Sequence, residues 1–207
     1  SQVANTVMTP GDYGLPREVT FESLQTFLNS SIHQYEIEDV FVLSPLQEGM
    51  LFHSLYATDA AAYMVQFQCD IMGSFSQESF NRSWSYLMEK HSILRTAIFN
   101  AGLGTPVQCV YKNIPVPVKL IDYTALSEEE ALLKIANFLE HDQATAFDLN
   151  KSPLFRITLF RINQGCTRLV FTNHHLLWDG WSFSKLISNF MECYEAVESE
   201  NTLPEIT

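Results

Sequence analysis

Charge is scarce in this chain: Asp, Glu, Lys and Arg make up 17% of its 207 residues. That scarcity argues against disorder, and a 46% hydrophobic fraction with 15 phenylalanines is ample for a buried core. Positive charge is scarcer still, with 12 Lys and Arg against 24 Asp and Glu and a formal net charge of −12. A phosphate backbone or an anionic bilayer would meet net repulsion, so neither nucleic acid nor membrane is expected as a partner. Long apolar runs are missing, and none approaches the ~18 residues needed to span a bilayer. The opening SQVANTVMTPGDYG has neither the basic start nor the apolar stretch of a secretory signal. Cysteine is sparse: Cys69, Cys109, Cys166 and Cys193 are far apart, with no Cys-x-x-Cys pair. They read as reduced, mostly buried thiols of a cytoplasmic protein. The length suits one large domain or one lobe of a bigger one.

What is present is hydrophobic periodicity that changes from segment to segment. Residues 1–19 hold Pro10, Gly11, Gly14 and Pro16 with little pattern and read as a linker. Phe21, Leu24, Phe27, Leu28 and Ile32 then fall at helical spacing, so residues 1–35 are a linker with a short helix, and 36–207 the folded body. A strand is expected at 40–43, and Ser44-Pro45 opens an apolar helix running to about Thr58. Strict alternation over 63–72 predicts a strand, and Phe80 to His91 a helix. A hairpin is expected from 93–100 and 106–111 around Gly102 and Gly104, and a further strand at 116–122. Ser127 with Glu130 resembles a capping box opening a helix. Strands at 154–162 and 168–175 flank Asn163-Gln164-Gly165, and an amphipathic helix spans Phe183 to Val197. This mixture predicts an α/β (α+β) sandwich with a mixed, mainly antiparallel sheet flanked by helices.

The most informative stretch is LVFTNHHLLWDGWSFSKL, residues 169–186. On a strand, His174 and His175 point to opposite faces, so one can meet a cleft while the other sits in the packing. Divergent histidines, with no Cys or Glu cluster nearby, make a poor metal site. His175 stands at a strand end, where functional groups often sit. Asp179 follows after a turn, placed to orient an imidazole or pair with a buried arginine, and Gly180 permits close backbone approach or positive φ. Both histidines could still be satisfied core or edge residues. Gly-x-Ser-x-Gly, a nucleophilic cysteine and a phosphate-cradling glycine loop are all missing. A histidine base without a protein nucleophile suits attack of one bound substrate on another.

The segment HHLLWDG (174–180) resembles the His-His-x-x-x-Asp-Gly signature of the condensation domains of nonribosomal peptide synthetases, a family whose fold is shared with chloramphenicol acetyltransferase. In the same order as in that family, LSPLQEGMLFH (43–53) resembles its first core motif and EKHSILRTAIF (89–99) its Arg-His-x-x-Leu-Arg-Thr motif. FDLNKSPLFRITLFRI (147–162) is similar to its strand before the histidines. One departure is Lys90, where the family has arginine; lysine keeps the charge and loses the bidentate fork, so no role is carried onto it. Arg95 matches, and reads either as a solvated strand residue or as a buried ion pair supporting the histidine loop, with Asp179 the candidate partner.

The resemblance implies a chloramphenicol acetyltransferase-like lobe in which His175 faces a tunnel and accepts or steers the proton of an acceptor amine. It implies an oxyanion contact from the Gly180 backbone N–H, and structural roles at the active site for His174, Asp179 and Arg95. Trp181 reads as core packing and Ser182 as a helix cap. No cofactor or metal binds directly; both substrates arrive on the 4'-phosphopantetheine arms of donor and acceptor carrier domains. Other implied partners are neighbouring synthetase domains and a C-terminal lobe. Family members are roughly twice as long, so the chain is expected to be the N-terminal lobe alone, folded yet with little or no activity. TPGDYGLP (9–16) is similar to linkers that follow epimerization domains and hints at a D-configured donor. Rival readings are an epimerization domain of the same superfamily, a stand-alone acetyltransferase, and a non-catalytic carrier-docking module. Heterocyclization is disfavoured, since those domains carry aspartates in place of the histidines.

Overall fold

The computed structural model describes residues 8–56 and 63–204. Among the described residues, seven strands fall into two sheets. In the first, β1 (Ile37–Val42), β4 (Val107–Tyr111) and β3 (Thr96–Phe99) pair antiparallel in the order β1-β4-β3. In the second, β2 (Met64–Met72), β7 (Cys166–His174), β6 (Phe155–Asn163) and β5 (Val118–Asp122) run in the order β2-β7-β6-β5, with only the β5–β6 pair parallel. The expected mixed, mainly antiparallel sheet is this second one. Alternation in the sequence reports which face a side chain takes, but not which edges pair, so the division into two sheets is not legible there.

Helices cover both faces of the second sheet. On one face, α3 (Gln77–Lys90) and α5 (Gly180–Glu198) bury a stack of aromatic rings. Trp84 lies 5.5 Å from Phe171 and 5.2 Å from Phe190, and Phe155 stacks on Phe171 at 5.4 Å. On the other face α4 (Glu128–Ala144) sets Ala131 and Ile135 against Phe160, Ile162 and Val170. Leu169 and Phe171 thus enter one cluster and Val170 the other, as strand alternation requires. The capping box at the start of α4 is present: Ser127 Oγ accepts from the Glu130 N–H, and Glu130 accepts from the Ser127 N–H.

α2 (Pro45–Tyr56) starts where Ser44-Pro45 predicts; residues 57 and 58 of the expected helix lie outside the described residues. α1 (Phe21–Leu28) stops short of Ile32, which is half exposed. Leu15, Val19, Leu24 and Phe27 of the segment read as a linker are buried in the main core. The expected strand 93–100 opens instead with a 3-10 turn at Ser92–Arg95, which folds Arg95 back onto the end of α3.

Candidate active site

β7 is an interior strand, flanked by β2 and β6, and it carries the two histidines out at one end of the sheet. The strand ends at His174; His175 begins a turn and its ring is exposed. Two bonds fix that residue. Its backbone N–H donates to the Tyr63 carbonyl at 2.9 Å, and its Nδ1 lies 2.9 Å from the Trp178 carbonyl oxygen. A carbonyl can only accept, so Nδ1 carries a proton, and in the neutral ring the lone pair is left on Nε2. An oriented neutral imidazole with an exposed basic nitrogen is the form suited to receiving a proton.

His174 is the opposite case. It is 3% exposed, and its Nδ1 accepts the Leu176 N–H at 3.1 Å, so its proton sits on Nε2. Burial, with a smaller contribution from neighbouring His175, pushes its pKa down to about 4. It packs against the ring of Tyr63 at 6.1 Å. The divergence expected of adjacent strand residues is therefore what the structure has.

Asp179 caps α5. Its carboxylate accepts the Ser182 N–H at 2.8 Å, which holds its pKa below the usual carboxylate range. This corrects two expectations. Ser182 is not the cap, and Asp179 is not the partner of Arg95. The arginine is buried and ion-paired as anticipated, but with Glu38 of β1, and it also donates to the carbonyls of Met88 at 2.6 Å and Tyr111 at 2.5 Å. It ties α3 and the first sheet together, and among the described residues no hydrogen bond joins it to the histidine turn. Trp181 is likewise not core: it is 87% exposed. It shares a cavity of about 460 Å³ with Leu177, Trp178 and Ser182 beside the turn.

Gly180 is the first residue of α5, and its φ is not in the left-handed region. A Cβ added there would meet nothing within 4 Å, so no contact within this chain demands a glycine. Its N–H, at a helix N-terminus, has no partner among the described residues.

Other chemistries find little here. Burial raises the pKa of all four thiols, that of Cys109 to about 12, which makes them poor nucleophiles. Cys109 and Cys193 are buried as expected, while Cys69 is exposed and Cys166 half-buried. Among the described residues no cluster of His, Cys, Asp and Glu could hold a metal. No described helix is long and apolar enough to cross a membrane. One residue of the site escapes a reading from sequence: Gln47, whose side chain donates to the Leu176 carbonyl at 3.1 Å. A glutamine just inside a helix start signals capping and gives no hint of a distant partner.

A sequence model described as "Condensation domain" matches residues 37–207. One of the linear gramicidin synthase proteins of Brevibacillus parabrevis is 36% identical over 96% of the chain, and one of the mycosubtilin synthase proteins of Bacillus subtilis is 32% identical over 92%. The chain spans only 4% and 7% of those relatives. Among solved structures, the starter condensation domain of rhizomide synthetase RzmA superposes with a TM-score of 0.73 at 16% identity, over 82% of this chain and 42% of that one. The first condensation domain of the calcium-dependent antibiotic synthetase gives 0.71 at 19% identity, over 80% and 39%. At such identities the superpositions speak for the fold, which is that of condensation domains.

Proposed function

The chain belongs to the condensation-domain family, and from that premise we propose that it is the N-terminal lobe of a domain that forms peptide bonds in nonribosomal peptide synthesis. The observation that carries this reading is the exposed, singly oriented imidazole of His175, offered at a strand end while its neighbour is sealed. On this account residues 36–207 form the lobe and residues 1–35 lead into it. The C-terminal lobe of the same domain closes the other side of the cleft. Both substrates come on 4'-phosphopantetheine arms, one from a donor and one from an acceptor carrier domain, in the cytoplasm.

The acceptor amine attacks the donor thioester carbonyl. An N–C bond forms, the C–S bond breaks, and the amine's proton passes to or is steered by Nε2 of His175 on its way to the departing thiolate. The free N–H of Gly180 supports a second role, donation to the carbonyl oxygen as negative charge develops on it. The open space around Gly180, where an added Cβ would meet nothing within 4 Å, leaves its N–H approachable. His174 and Asp179 act as supports, the first as a neutral packed ring and the second as the cap of α5. Arg95 acts further off, holding the first sheet to α3.

The test is peptide-bond formation by the complete condensation domain with loaded donor and acceptor carriers. His175→Ala is expected to lower coupling by roughly 10²-fold or more while the fold survives. Wild-type coupling by a folded His175→Ala domain would reduce the site to a docking surface. The 207-residue chain alone is expected to fold and to give no measurable product, and turnover by it would overturn the lobe assignment.

A further inference from the structure

We infer that Gln47 is a positioning residue for His175: its side-chain amide holds the Leu176 carbonyl and so sets the turn from which the imidazole projects. The inference rests on the role proposed for His175. Every polar atom of the amide is directional here. Gln47 Oε1 accepts the Ser44 N–H at 3.0 Å, while its Nε2 donates to Leu176 O at 3.1 Å and to Gln108 Oε1 at 3.3 Å. The backbone N–H of Gln47 donates in turn to Ser44 Oγ at 3.3 Å, completing a reciprocal cap at the start of α2. One side chain thereby joins a helix start, the central strand of the first sheet and the histidine turn on the second.

The peptide group it holds is the one that matters for aim. The N–H of Leu176 is fixed by His174 Nδ1, and its carbonyl by Gln47. The next bond along is the Leu177 N–H to the His174 carbonyl at 3.2 Å, and the His175 ring closes the turn on Trp178 O. Among the described residues, Gln47 is the one side chain from outside 173–179 that hydrogen-bonds residues 174–178. Without it the turn hangs on its own local bonds and on backbone bonds to Tyr63 and Leu154. A catalytic group displaced by a fraction of an ångström loses much of its effect, so this contact should be read in rate and not in stability.

Cap and aim separate cleanly. Gln47→Glu keeps an acceptor for the Ser44 N–H but turns carboxylate lone pairs toward the Leu176 carbonyl, abolishing the donor. Ser44→Ala removes the hydroxyl half of the cap and leaves the donor in place. In the complete condensation domain, Gln47→Glu is expected to lower kcat roughly tenfold with acceptor KM and Tm little changed. Ser44→Ala is expected to lower Tm and leave kcat alone. Gln47→Met, of similar length with no donor, should repeat the kcat loss. In the 207-residue chain, both Gln47 variants should shift the ring resonances of His175. Wild-type kcat in a folded Gln47 variant, or unmoved His175 resonances, overturns the assignment. Should His175→Ala couple normally, the proposed catalysis falls, while displaced His175 resonances would still uphold the tie.

Discussion

Two imidazoles one residue apart have opposite tautomers because each meets a different kind of partner. His175 gives its Nδ1 proton to a carbonyl, and His174 takes a proton from an amide with the same atom. Burial also separates them in titration. The folded-state pKa of His174 lies near 4 against an unfolded value near 6.5. Between those values the unfolded chain binds a proton that the folded chain refuses, so stability is full above pH 6.5 and falls as pH drops toward 4. The loss attributable to His174 is on the order of 3 kcal/mol across that window. His33 and His91, also depressed by burial, steepen it. Denaturant unfolding as a function of pH measures the slope, and His174→Gln should flatten it; an unchanged slope would mean that His174 charges freely in the folded state.

Elements hold the site through their ends. Asp179 works as the cap of α5 and forms no ion pair among the described residues, so Asp179→Ala should lower Tm and Asp179→Asn, which also accepts the Ser182 N–H, should restore most of it. Arg95 works between α3 and the first sheet. Arg95→Leu strands the Met88 and Tyr111 carbonyls and returns the exposed Glu38 carboxylate to water, at a cost of roughly 2 kcal/mol. Double-mutant cycles should show coupling of Arg95 with Glu38 and simple additivity with Asp179. The Ser127–Glu130 box is legible because both partners sit within one turn of helix. Arg95–Glu38 is 57 positions apart and crosses from β1 to the end of α3, a juxtaposition that alternation and spacing do not encode. Gln47–Leu176, 129 positions apart, is hidden in the same way. The divergence of His174 and His175 is legible because neighbouring residues on a strand point apart, whereas which of the two is offered depends on the turn that opens at His175. Trp181 defeats the expectation of core packing because an aromatic ring carries no label for which side of a helix start meets water.

At the scale of the whole molecule, one core runs through both sheets and centres on Trp84, wedged between Phe171, Phe155 and Phe190. Trp84→Ala should cost roughly 3–5 kcal/mol in chemical unfolding, more than any substitution at the exposed turn. The molecule is a packed scaffold with a lightly tethered functional end, and the sealed and offered histidines are its most specific feature. Nitrogen-15 spectra of the imidazoles at neutral pH test it most directly. His175 is expected to be protonated on Nδ1 with a bare Nε2, and His174 on Nε2 with Nδ1 as acceptor. A His175 ring carrying its proton on Nε2, or two histidines with the same tautomer, would contradict it.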